Sequence, residues 1–136
     1  MIGYLFVTGL IFALVGLYSL IDPNAALAPL DLHFQTVNSF SQERGTAGGV
    51  TLAVGLFLIA SARYRRLVLP ALWMVTLVLG GLEVGRLVGL VVDGVPGKIV
   101  WIYAAFEVFG LLQGIFWLRR ELAAQPWPRS IQTRTV

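Results

Sequence analysis

The sequence predicts an all-α membrane protein, four transmembrane helices in one bundle with both termini on the cytoplasmic side. Three observations carry that expectation. Hydrophobic residues make up 57% of the 136-residue chain and charged residues only 12%, about half the share a soluble domain carries. The mean hydropathy is +0.81, and so short a chain cannot bury that much apolar surface within itself. Four runs with few or no charges are long enough to cross a hydrocarbon core about 30 Å thick, which takes roughly 20 helical residues.

The first run, residues 2–21, carries no charge and stops at Asp22-Pro23, where the proline turns the preceding residue away from helix. Ala26-Leu27-Ala28 imitates a cleavage site, but no Lys or Arg precedes the run, the run exceeds a signal core, and Pro29 would follow the cut. A retained span is expected. The second span, residues 40–62, has its apolar body from Gly45 to Ala62. Ser39 followed by Gln42 resembles a capping box that starts the helix near Phe40 and sets Glu43 and Arg44 on its first turn. The third, residues 67–92, accommodates Pro70 in its opening turn and is interrupted by Glu83 and Arg86. The fourth, residues 99–118, is broken by Glu107 and Gln113. Residues 22–39 interleave Leu27, Leu30, Leu32, Phe34 and Val37 with polar groups, which predicts a segment lying on the membrane surface or folded over the bundle as a lid. Residues 1–124 thus read as one domain and 125–136 as a short cytoplasmic tail.

Orientation follows from the arginines. Arg63, Arg65 and Arg66 lie in the second loop and Arg119, Arg120, Arg129 and Arg134 follow the fourth span, against mainly Asp22, Asp31, Asp93 and Lys98 on the other side. The positive-inside rule puts the termini in the cytoplasm, as in a bacterial inner (plasma) membrane. Trp101 and Tyr103 near the outer boundary, and Trp117 and Trp127 near the inner one, suit aromatic belts. The net charge of +3 gives no nucleic-acid surface, because the basic residues flank apolar runs. The chain has no cysteine and a single histidine, His33, so it offers no thiolate or paired-histidine centre. With no phosphate loop, dinucleotide fingerprint or catalytic triad either, no cofactor and no metal are expected.

The chemistry rests on charges inside the spans. Glu83 lies nine residues before Val92 and Glu107 eight after Ile99, at one depth about 12 to 14 Å from the outer edge. Arg86 is one turn from Glu83 on the same face, where it can pair with Glu83 or Glu107. Glu43 and Arg44 enter the same half from the second helix, with Asp93 at the rim. Intramembrane charges normally face the bundle and pair. One reading makes Glu83–Arg86 and Arg44–Glu107 ion pairs that lock the bundle. The other makes Glu107, as the surplus carboxylate, and Glu83 an acid/base pair in an apolar pocket. In that reading Arg86, Arg44, Glu43 and Asp93 bind ligand or pair, Tyr103 lies on the face of Glu107, and His33 arrives with an inward-folding lid. Small residues recur at Gly9, Ala13 and Gly16, at Gly45 and Gly49, and at Gly81, Gly85 and Gly89, a helix-packing pattern. Gly110 and Gly114, below Glu107, suggest room for a lipid tail.

Gly16-Leu17-Tyr18, Asp22-Pro23, Glu43-Arg44 with Gly48-Gly49, Gly80-Gly81-Leu82 with Gly85-Arg86, Asp93-Gly94, Glu107 and Leu118-Arg119-Arg120 together resemble a bacterial integral membrane family, domain of unknown function 4345. That family is similar in layout to the DoxX-like four-helix membrane proteins. The resemblance implies the four-helix fold and supplies no reaction. The residues themselves suggest two functions. The first is binding of a lipophilic small molecule, isoprenoid or sterol-like, with acid-base isomerase or cyclase chemistry. The second is a non-enzymatic accessory or structural subunit, packed by its glycine faces into a homo-oligomer or larger complex among membrane lipids. Ion conduction is disfavoured, because nothing polar continues through Leu56–Ala60 or Leu67–Val75.

Overall fold

Twenty residues without a charge form α1 (Ile2–Ile21). Its end is set by Asp22, which is extended at φ −139° and accepts from the Ala25 N–H at 3.0 Å to cap α2 (Pro23–Leu27). The computed structural model describes residues 1–124. A 3-10 turn (Ala28–Leu30) follows, then α3 (Val37–Glu43), a π-helical stretch (Arg44–Val50) and α4 (Thr51–Arg63), which together make a second span of 27 residues. After a second 3-10 turn (Arg65–Leu67) come α5 (Val68–Val92) and α6 (Lys98–Ala124). Four helices are thus long and apolar enough to cross a membrane, and no strand occurs among the described residues.

Three features differ from expectation. The second span starts at Val37 because the capping residue is Thr36: its Oγ1 accepts from Ser39 N at 3.1 Å while Ser39 Oγ accepts from Thr36 N at 3.1 Å. Ser39 is therefore the inner partner of the box and not its first residue. The span then widens into π geometry where three glycines in seven residues weaken the α-helix. There Thr46 Oγ1 donates back to Gln42 O at 2.9 Å, a contact that bends helices. Finally, α6 continues to Ala124, six residues beyond its apolar run. Arg119 to Ala124 are good helix formers, and Glu121 is tied to Arg65 at 2.6 Å. The polar tail, Trp127, Arg129 and Arg134 lie outside the described residues.

Packing divides the bundle into two antiparallel pairs. In α1 against α4, small residues bring backbone to backbone. A Cβ added at Gly9 would stand 2.9 Å from Gly55 O, and one at Gly55 would strike Ala13 N and come within 2.7 Å of Gly9 O. The pairs join at the end that holds the N-terminus, where Leu5, Leu58, Val68, Ala71, Leu72, Val75, Leu79 and Leu118 form the core. Lipid tails are as apolar as leucine, so this core holds by close packing rather than by escape from water. Toward the far end the pairs stop covering each other: beyond Leu79 on α5, and ahead of Gly114 on α6, neither helix buries a residue. There the connection between α1 and α3 reaches across, its 3-10 turn touching α6. Asn24 pins that connection by accepting from Phe34 N at 2.7 Å and donating to Phe34 O at 3.2 Å.

Candidate functional site

The polar site sits where the close packing ends. Glu83 lies nine residues before the end of α5 and Glu107 nine after the start of α6, so the two carboxyls share a depth of about 14 Å from the far end. Arg86 bridges the helices: its Nε donates to Glu107 Oε2 and its Nη2 to Glu107 Oε1, both at 2.7 Å. This two-point fork is the strongest geometry an arginine and a carboxylate adopt. The pair is largely covered, with 27% and 19% of the two side chains exposed. Glu83 lies within reach of both partners, yet its Oε1 is enclosed without a hydrogen bond.

Of the two partners open to Arg86 from the sequence, the structure takes Glu107. Arg86 turns to the neighbouring helix rather than to Glu83 on its own, because across the interface the planar guanidinium meets a carboxylate edge-on. The surplus carboxyl is therefore Glu83 and not Glu107. Arg44 does not reach Glu107; it is exposed at the head of the π-helical stretch and makes no ion pair among the described residues. Glu43 is half-buried beside it. Asp93 is the exposed C-cap of α5, its N–H bonded to Gly89 O at 2.7 Å. His33 is exposed in the connection between α1 and α3, and Tyr103 is exposed one turn before Glu107. Of the residues singled out from sequence, the structure brings together Glu83, Arg86 and Glu107 and leaves the other five unbonded to them.

Below the trio there is no room for a tail. The Tyr4 hydroxyl donates to Gly110 O at 2.7 Å. A Cβ at Gly114 would stand 2.9 Å from both Tyr4 Oη and Thr76 Oγ1, and one at Gly110 would stand 3.1 Å from Leu79 Cδ1. The space under Glu107 is filled by Tyr4, Thr76 and Leu79, which close the floor of the site. Neither Tyr4 nor Thr76 is among the candidate site residues named from the sequence. The available signal was a tyrosine in an uncharged span, since its hydroxyl must find a partner there.

A family model described as a domain of unknown function (DUF4345) matches residues 2–118. The chain belongs to the DUF4345 family. The match takes in all three residues of the site and the Tyr4–Thr76 floor. No curated protein and no solved structure matches the chain. Among the described residues of this DUF4345 protein, no group of three or more His, Asp or Glu is placed to hold a metal ion. What the trio offers is acid-base and hydrogen-bonding chemistry. Arg86 fixes Glu107, and the adjacent Glu83 has the geometry to share a proton with it or to turn to a third group. On α5, Gly81 and Gly85 lie roughly opposite Glu83 around the helix, with nothing within 4 Å of where their Cβ atoms would stand.

Proposed function

We propose that this DUF4345 protein binds a lipophilic small molecule within the membrane, its polar group held at Glu83 beside the Arg86–Glu107 pair. The observation that carries the reading is the enclosed Glu83 oxygen with no partner. A carboxyl inside a span costs several kcal/mol unless something satisfies it, and a bundle needs no charge to pack. With the floor closed by Tyr4 and Thr76, the ligand approaches from the far end or sideways from the bilayer. The same carboxyl supports acid-base chemistry. As a base, an ionised Glu83 withdraws a proton from the carbon beside an activated double bond and, once protonated, returns it at the far carbon, which shifts the bond without a co-reactant. The arginines around the termini support an orientation with this site in the outer half of the plasma membrane.

The test is native mass spectrometry of the protein extracted in mild detergent. A small-molecule adduct is expected on the wild type and absent from Glu83→Leu at unchanged helicity. An adduct-free wild type, or equal adducts on both proteins, sinks the proposal.

A second reading, an accessory subunit, is favoured by Gly81 and Gly85. They offer a smooth helix face of the kind that packs α1 on α4, but with nothing against it. It expects a fixed protein partner after gentle extraction, released by Gly85→Leu.

A further inference from the structure

We infer that the head group recognised at this site is a hydroxyl and that anions are turned away; the inference rests on the ligand-binding reading above. The free hydrogen-bonding capacity decides it. Arg86 has five N–H donors, of which Nε and one on Nη2 are engaged by Glu107. Three remain, on a side chain that is 27% exposed. Glu83 accepts no hydrogen bond from Arg86, whose two bonds both go to Glu107, and its Oε1 is enclosed without a partner. A ligand completing the site must therefore give a hydrogen to Glu83 and receive one from Arg86 side by side. A hydroxyl does both through one atom. An ester or ketone only accepts and leaves an ionised Glu83, itself an acceptor, as it was.

Charge excludes the anions. The guanidinium is already neutralised by Glu107 at 2.7 Å, and a second carboxyl stands next to it. A fatty acid or a phosphate head would face two carboxyls with no unmatched cation, in a medium where an unpaired charge is costly. The opposite arrangement, an arginine with free charge, would have selected anions. With Tyr4, Thr76 and Leu79 filling the space below Glu107, the tail lies toward the bilayer rather than inside the bundle. Selectivity therefore resides in the head group, and the ligand class is a long-chain, isoprenoid or sterol-like alcohol.

The experiment titrates the purified full chain in detergent at neutral pH with four probes, read by native mass spectrometry. They are oleyl alcohol, methyl oleate, oleic acid and octadecene, nearly matched in tail. Oleyl alcohol is expected to bind about tenfold more tightly than each of the others, as one well-placed hydrogen bond to a charged group allows. Glu83→Leu should erase the preference, and Glu83→Gln, which keeps an acceptor oxygen, should retain part of it. If oleic acid or methyl oleate equals or exceeds the alcohol while Glu83→Leu still weakens binding, the ligand site stands and the hydroxyl assignment is overturned. If all four probes bind wild type and Glu83→Leu alike, the ligand-site reading itself falls. The wild-type ranking alone is decisive should the leucine variant not fold.

Discussion

The two helix pairs of this bundle use the same residue type to opposite ends. In α1 against α4, glycines at 9 and 55 are sites of contact, with a backbone atom where each side chain would be. In α5 against α6, the glycines at 81 and 85 face open space, and the far half of the pair is held instead by Arg86 and Glu107 at 2.7 Å. The first pair is committed along its length and carries no charge at its contact. The second is packed only as far as Leu79 and Gly110, and its polar trio begins one turn beyond. Close packing leaves no room for chemistry, so the chemistry lies where packing stops.

The comparison breaks most severely at Gly55. Leucine there must displace Ala13 and the Gly9 carbonyl, both backbone, and overpacking against backbone has no rotamer to relieve it. Gly55→Leu is expected to yield no folded protein in detergent by circular dichroism and gel filtration. Gly85→Leu, the same change on the other pair, should unfold within about 0.5 kcal/mol of wild type, as substitutions at open positions do. Equal damage from both would mean that the isolated chain already packs something on α5.

The next effect belongs to the ion pair. Arg86→Gln strands Glu107 within the span and should lower stability by roughly 2 to 4 kcal/mol, below the cost in a dry core because the pair is not fully covered. Adding Glu107→Gln removes the stranded charge and should recover most of that loss. Chemical denaturation of the two single variants and the double variant closes the cycle. A double variant no better than Arg86→Gln would show that shape rather than charge holds the far half of the pair.

What was legible in the sequence follows the same division. The four spans and the stop at Asp22-Pro23 could be read because length and hydropathy are properties of the chain alone. The depth shared by Glu83 and Glu107 could be read too, since helical rise converts residue counts into distance. The partner of Arg86 could not. Glu83 and Glu107 were both within reach on paper, and the choice depends on how α5 and α6 are rotated about their axes, which packing lower down decides. Gly110 and Gly114 misled for the same reason: missing side chains looked like space, and Tyr4, more than a hundred residues away, fills it. Thr36 displaced Ser39 as the cap because a box needs its first residue extended, and Thr36 has φ −113° and ψ 153°.

A smaller effect sharpens where the floor of the site lies. Tyr4→Phe keeps the ring against Gly114 and removes only the hydroxyl's 2.7 Å bond to Gly110 O. The expected loss is about 0.5 to 1 kcal/mol, typical of hydrogen bonds between membrane helices. Binding of a ligand at Glu83 should be unchanged, because the floor keeps its shape. A large change in binding with little change in stability would instead make the Tyr4 hydroxyl part of the site.

The smallest effect is expected where an ion pair looks most favourable by distance. Arg65 and Glu121 meet at 2.6 Å, closer than Arg86 and Glu107, and link the turn before α5 to the end of α6. Yet Arg65 is 63% exposed and Glu121 only 13%, so water screens the pair from the arginine side, and ordering the long side chain cancels part of the gain. Arg65→Ala should cost no more than about 0.5 to 1 kcal/mol, less at high salt, against the larger, salt-insensitive cost of Arg86→Gln. Thermal unfolding of both variants at low and high ionic strength separates the two pairs. If Arg65→Ala proves the more damaging, the end that holds the N-terminus depends on charge rather than on the Leu5–Leu58–Leu72 core, and the contrast between a packed end and a polar far half must be redrawn.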